Sequence, residues 1–201
     1  MTEYDAATDE ALMLAVKNGD RAAFAAIIDR HQQAVVRFAA RFLGQIDHQA
    51  AEDVAQDVFI NLWKAAPRYQ PSAKTLTYIF RITKNHCLNL QRRQKLRKFL
   101  PLIHARDTSI TDDPTTPSDA TETEDAVRRA LTDLPPKQRS ALILRHFHDL
   151  PYQEIADILE TSVSAIESLL FRARTTLRTT LAPVGDSRKP PQVSQLVRVE
   201  P

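Results

Sequence analysis

One cysteine among 201 residues, Cys87, excludes an internal disulfide and fits a reducing compartment. Glycine is almost as scarce, with three in the chain, and no Gly-rich loop is present to cradle a phosphate. Long apolar runs are absent too. Nothing approaches the length needed to span a membrane, and Met1 to Glu10 is too acidic and polar for a signal peptide. Catalytic constellations are also wanting. No carboxylate pair sits in an apolar setting. His146 and His148 are two apart on a predicted helix, so they point to different sides and make a poor metal site. His86-Cys87 offers a metal or redox pair, but a thiol at core spacing in a helix reads better as packing. These absences predict a cytoplasmic protein without membrane insertion, enzymatic activity, cofactor or metal.

What is present is charge, unevenly spread. The formal net charge of +2 is the sum of unlike segments. Val58 to Arg106 holds eleven Lys or Arg and no Asp or Glu. Phe59, Trp63, Tyr69, Tyr78, Phe80 and Phe99 are threaded through it. Cations and planar rings together suit a polyanion whose bases can be unstacked. A solvated basic helix face is the ordinary alternative, but such surfaces normally mix both signs. From Asp107 to Asp125 the sign inverts, with seven acids, no Lys or Arg, and much Thr, Ser and Pro. So few large apolar residues predict a flexible linker. It is either a plain tether or a segment that folds back on the basic helix in imitation of nucleic acid.

The periodicity is helical throughout, which predicts an all-α fold of two small domains. The expected divisions are an N-terminal helical bundle over 9–100, a linker over 101–122, a four-helix domain over 123–182 and a disordered tail over 183–201. Asn18-Gly19-Asp20 ends a first helix and caps a second, which Gly44 ends. Asp47 is expected to cap a third, stopped by Pro67. Its polar side carries Asp53, Gln56, Asp57 and Asn61, with Ile60 among them; periodicity alone makes this an ordinary wet face. Ser72 or Thr75 is expected to cap a fourth helix over about 74–97. Leu76, Ile79, Phe80, Thr83, Cys87 and Leu90 form its core stripe, while Tyr78, Arg81, Lys84, Asn85 and Asn89 fall off it.

The second domain is expected to begin with a helix over 123–132. Leu134-Pro135-Pro136 and Pro151 open two more. Glu160-Thr161-Ser162 is a tight turn, with Ser162 capping a last helix to about Leu181. Two helices across a short turn, the second longer and rich in arginine, form a helix-turn-helix pattern, although the usual glycine is missing from the turn. On the last helix Val163, Ile166, Leu170, Ala173 and Leu177 are expected inward. Ser164, Glu167, Ser168, Phe171 and Arg172 are expected outward, where a major groove offers a donor and acceptor code. Arg174 and Arg178 suit phosphate, or the negative end of their own helix.

Three ordered segments resemble the extracytoplasmic-function (ECF) group of bacterial sigma factors. The first is Ala51-Glu52-Asp53-Val54-Ala55-Gln56-Asp57-Val58-Phe59-Ile60-Asn61-Leu62-Trp63. The second is Thr77-Tyr78-Ile79-Phe80-Arg81-Ile82-Thr83-Lys84-Asn85-His86-Cys87-Leu88-Asn89, followed by Arg92-Arg93. The third combines Leu134-Pro135 to Arg139, Pro151-Tyr152-Gln153-Glu154-Ile155-Ala156, Ser164-Ala165-Ile166-Glu167-Ser168 and Phe171-Arg172-Ala173-Arg174. The resemblance spans about 9–97 and 126–181. It implies that Asp53, Gln56, Asp57, Ile60 and Asn61 dock on core RNA polymerase. It assigns Tyr69, Lys74, Tyr78, Arg81, Lys84, Asn85, Asn89, Arg92 and Arg93 to the melted non-template strand of a minus-ten element. Ser164, Glu167, Ser168, Phe171, Arg172 and Arg174 fall to the duplex minus-thirty-five element. An anti-sigma factor is implied as a further partner. Tyr78 and Phe80 stand where the family commonly has Trp and Tyr, and Glu167 and Leu169 where many members have Arg or Lys.

Two other classes are weighed against this. A free-standing helix-turn-helix regulator predicts tight duplex binding without polymerase, whereas a sigma factor predicts strong binding only with it. An enzyme lacks the side chains it would need.

Overall fold

Leu12, Met13 and Val16 recur at one- and three-residue steps and are buried on one face of α1 (Asp9–Lys17). The computed structural model describes residues 4, 6–44, 48–70, 74–99 and 119–182. These form helices with no strand among the described residues. Asp20 caps α2 (Arg21–Leu43), its carboxylate accepting from the amides of Ala22 and Ala23 at 2.9 and 3.0 Å. The Tyr4 hydroxyl donates to the same carboxylate at 2.6 Å. That bond first, with the amide bonds, holds Asp20 below its ordinary pKa. Gly44 ends α2 in the left-handed region, φ +65°, where a β-carbon would be strained.

Next come α3 (His48–Ala65), a 3-10 turn at Ala66–Arg68 containing Pro67, and α4 (Thr75–Phe99). Thr75 is the first residue of α4 rather than its cap. Its amide donates to Glu10 Oε1 of α1 at 3.2 Å, so a carboxylate from a distant helix meets the positive end of α4. Lys17 of α1 reaches the Tyr69 carbonyl at 3.0 Å, which ties α1 to the chain leading into α4. The expected caps Asp47 and Ser72 lie outside the described residues, as do the middle of the acidic segment and the tail over 183–201.

In the second half α5 (Asp119–Asp133), α6 (Pro136–Phe147), α7 (Tyr152–Leu159) and α8 (Val163–Leu181) follow. The helix α5 begins earlier than expected, at Asp119 rather than Thr123. Part of the acid-rich segment therefore belongs to the helix. Glu160 takes the turn position that lacks glycine, with φ 54°. Ser162 caps α8, accepting from the Ala165 amide at 3.2 Å.

The core of the first half is built by Ile27, Phe38 and Phe42 of α2, Val58 and Leu62 of α3, and Ile79, Phe80 and Cys87 of α4. In the second, Ile143, Leu144, Ile155, Ile158, Ile166, Leu170 and Ala173 do the same. Each of the large aliphatic and aromatic side chains among them contributes about 1.5–3 kcal/mol on burial. The two cores are continuous, because α2 and α4 meet α5, α6 and α7. The His148 ring stands edge-on to Phe80 at 4.7 Å and tilted to Phe38 at 6.3 Å. Arg139 is buried at 2% exposure despite its charge. It donates to the carbonyls of Phe42 at 2.6 Å, Leu134 at 3.0 Å and Thr132. Arg128 donates to the Gly44 carbonyl at 3.2 Å. Open carbonyls at the end of α2 are thus satisfied by arginines from the other half.

Candidate nucleic-acid interface

Three surfaces emerge from this packing. On α3, the buried stripe Ala51, Val54, Val58 and Leu62 turns Asp53, Gln56, Asp57, Ile60 and Asn61 to solvent. Ile60, an apolar side chain set among these polar ones, is 50% exposed. Beside it lies a groove of about 900 Å³ between α2 and α3. Phe24, Ile28, Phe59 and Trp63 floor it, and Arg37, Glu52, Gln56 and Lys64 stand around it. The patch is tied to its neighbours: Gln49 donates to Asp53 at 3.4 Å, and Asp57 lies 3.5 Å from His86 Nε2 of α4.

The second surface is α4. Arg81, Asn85, Asn89 and Arg93 succeed one another at four-residue steps and so share a face, with Arg92 beside them. Asn85, Asn89, Arg92 and Arg93 are exposed. Tyr78 is half-buried, its ring 5.6 Å from that of Tyr69, and burial raises its hydroxyl pKa. Tyr69 corrects the sequence expectation. It is 2% exposed, with its hydroxyl 3.3 Å from the Thr75 hydroxyl, so it supports the wall behind Tyr78 instead of facing solvent. Lys84 is a second correction. Expected off the core stripe, it is 7% exposed because α7 covers that flank. Burial first, opposed by Glu160, lowers its pKa. Lys74, Arg81 and Lys84 all meet groups of the second half. Arg92 and Arg93 are exposed and do not share that cover.

The third surface is α8. Ile166, Leu170, Ala173 and Leu177 are buried, and Val163 is half-buried. Ser164, Glu167, Ser168, Phe171, Arg172 and Arg174 are all exposed, Phe171 at 72%. Ser168 donates to the Ser164 carbonyl at 3.1 Å, which leaves its oxygen free to accept. The helix-turn-helix is therefore present, with α7 packed behind and α8 turned outward.

Sequence reasoning missed Arg139 and the carboxylates Glu154 and Glu160 that face α4. Arg139 carried a signal: it lies three and four residues before Leu142 and Ile143, on the core stripe, where a charge needs a partner. Glu154 and Glu160 carried none, since their partners are distant in sequence. Cys87 is buried, and desolvation pushes its thiol pKa up to about 12, so it is inert at neutral pH. Among the described residues no group of three or more His, Cys, Asp or Glu is disposed to hold a metal ion. Nor is any described helix long and apolar enough to cross a membrane.

Fold and surfaces together define an all-helical, two-module nucleic-acid-binding protein with a helix-turn-helix in its second module. Residues 27–97 match the family model described as Sigma-70 region 2, and residues 124–177 match that of Sigma-70, region 4. The chain is 30% identical to the RNA polymerase sigma factor NccH of Alcaligenes xylosoxydans xylosoxydans over 177 residues, 86% of this chain and 94% of that protein. It is 29% identical to the ECF RNA polymerase sigma factor SigW of Bacillus subtilis over 172 residues, 81% and 91% of the two chains. A solved structure of CnrH in complex with the cytosolic domain of CnrY matches with a TM-score of 0.65 and 26% identity, over 89% of this chain and 99% of that one. The chain belongs to the sigma-70 family, in its ECF group, whose members direct RNA polymerase to promoters.

Proposed function

We propose that the three surfaces divide the work of initiation among them. The α3 patch Asp53, Gln56, Asp57, Ile60 and Asn61 docks on core RNA polymerase. The α4 face, led by Asn85 and Asn89, captures the melted non-template strand, while Arg92 and Arg93 hold its phosphates and Tyr78 flanks the bases. The outward residues of α8 read duplex DNA upstream. In this division residues 9–100 and 119–182 act as two modules, with 101–118 as the tether between them.

The observation that carries the reading is the pair of outward carboxamides on a cationic helix. An amide offers both a donor and an acceptor to a base edge, and the arginines beside it supply the charge that single strands require. Opening a duplex costs a few kcal/mol per unstacked base, and capturing one such base offsets part of that cost. Chemistry is left to the polymerase, so this chain needs no catalytic side chain of its own. It acts in the cytoplasm, where core polymerase is. An anti-sigma factor is its expected regulatory partner; CnrH was solved bound to a domain of another protein, CnrY.

Run-off transcription with purified bacterial core polymerase and a genomic promoter library tests the reading. Defined start sites that depend on the added chain are expected. Tight duplex binding without polymerase, and no start sites with it, would favour the free-standing regulator instead.

A further inference from the structure

The arginines of α8 stand in its second half, at Arg172, Arg174 and Arg178, and the stretch from Ser162 to Leu170 holds no Lys or Arg. A helix in a major groove reads base edges chiefly with its N-terminal residues. In that part of α8 the exposed polar side chains are Ser164, Glu167 and Ser168, set three and four residues apart on one face. Helix chemistry does not account for Glu167. The first turn of α8 carries no acid, and Glu167 lies beyond it, where the pull of the dipole on a carboxylate has faded. The positions that could pair with it along the helix are Val163, Ser164, Leu170 and Phe171, none of them a cation. Among the described residues nothing hydrogen-bonds or ion-pairs with its carboxylate. On a face that meets DNA such a group is repelled by phosphates, and it is tolerated only where it finds a donor.

Its neighbours are set to accept as well. The Ser168 hydroxyl already donates to the Ser164 carbonyl. The Ser164 and Ser162 hydroxyls lie 3.1 Å apart and share one hydrogen bond. A carboxylate only accepts. In the major groove the donors are the N4 amino group of cytosine and the N6 amino group of adenine. Guanine shows two acceptors there, O6 and N7, and thymine one, O4. Adenine sets its N7 acceptor beside N6, so a carboxylate meets one attraction and one repulsion. Cytosine shows the donor alone.

We propose that Glu167 selects cytosine at one position of the upstream duplex, its carboxylate accepting from the N4 amino group. Adenine ranks second, and guanine and thymine are rejected because acceptor meets acceptor. This rests on the assignment of the α8 face to duplex DNA made above. Repulsion sharpens the choice. Any seating of α8 that leaves the carboxylate against a phosphate or a keto oxygen is penalised, so Glu167 works against wrong sequences as well as for the right one.

The test uses the full chain bound to core polymerase, at one fixed salt concentration, on a library of randomised duplexes whose bound fraction is sequenced. Glu167 is exposed, and Ala and Gln are both good helix formers, so the variants keep the fold. The wild type should enrich cytosine about tenfold over guanine or thymine at one upstream position. Glu167→Ala should lose that preference and keep those at other positions. Glu167→Gln should move it from cytosine to adenine, because an amide pairs with adenine N6 and N7 together. A second probe replaces that cytosine with 2-pyrimidinone, which lacks the amino group. The exchange should weaken wild-type binding about tenfold and Glu167→Ala binding less than about twofold. Enrichment of another base at the position that Glu167 controls overturns the proposal. So does a Glu167→Ala protein that binds every sequence tighter by the same factor, which would make Glu167 a mere repeller of the backbone. If the wild type enriches upstream bases that neither variant alters, only the cytosine contact is lost. If it enriches no upstream base at all, the assignment of α8 beneath it is lost too.

Discussion

Arg139 is a buried guanidinium whose bonds run to main-chain carbonyls of both halves. Desolvation lowers its pKa, though a guanidinium stays charged across the working range. Arg139→Ala strands those carbonyls and empties the site, so a loss of about 2–4 kcal/mol in urea denaturation is expected. His148 gives a second prediction at this scale. Burial first, with Arg37 and Arg41 nearby, lowers its pKa to about 4. The folded pKa lies below the unfolded one, so the neutral ring favours folding. Its contribution is present above the unfolded value near 6.5 and is lost as pH falls towards 4. Between pH 7 and pH 5 the wild type should lose about 2 kcal/mol more than His148→Leu. His146 is shifted the same way, by burial first, and keeps its share of the slope in both proteins. The residue scale is also where the sequence was hardest to read. Tyr69 has the composition of a DNA-facing ring yet lies in the core, and Lys84 looks like a free cation yet is covered. Both outcomes depend on elements far along the chain, which local periodicity does not see.

Helices were far more legible, because their punctuation is local chemistry. Asn18-Gly19-Asp20, Gly44, Pro67, Pro136, Pro151 and Ser162 each mark a start or a stop by a capping bond, a left-handed turn or a missing amide. The start of α5 was not legible, since Asp, Thr and Glu are equally the composition of a loop and of a polar first turn. The outward faces of α3 and α8 followed from their buried stripes, although exposure alone does not say what each face meets. Two predictions belong to these elements. Gln56→Ala or Asp57→Ala on α3 should weaken competition with another sigma factor for core polymerase about three- to tenfold, read by displacement of a labelled competitor. Arg172→Ala on α8 should cost about 1–3 kcal/mol at one base position if it reads a base edge. A loss spread evenly over all promoter sequences would make it a phosphate contact.

At the scale of the whole molecule, two helical modules share a continuous core seam and leave polar surfaces on α3, α4 and α8. Sequence showed that there were two modules; it could not show how they meet. The seam is made by pairs such as Gly44 with Thr132 and Phe80 with His148, each separated by long stretches of chain. The central claim is that the α4 face opens DNA on behalf of a polymerase docked elsewhere on the chain. Asn85→Ala tests it most directly, with promoter melting followed by a fluorescent base analogue in the minus-ten element and polymerase binding measured in parallel. The account predicts melting slowed about tenfold or more with polymerase affinity unchanged. Melting at the wild-type rate, or a loss confined to polymerase affinity, would contradict it.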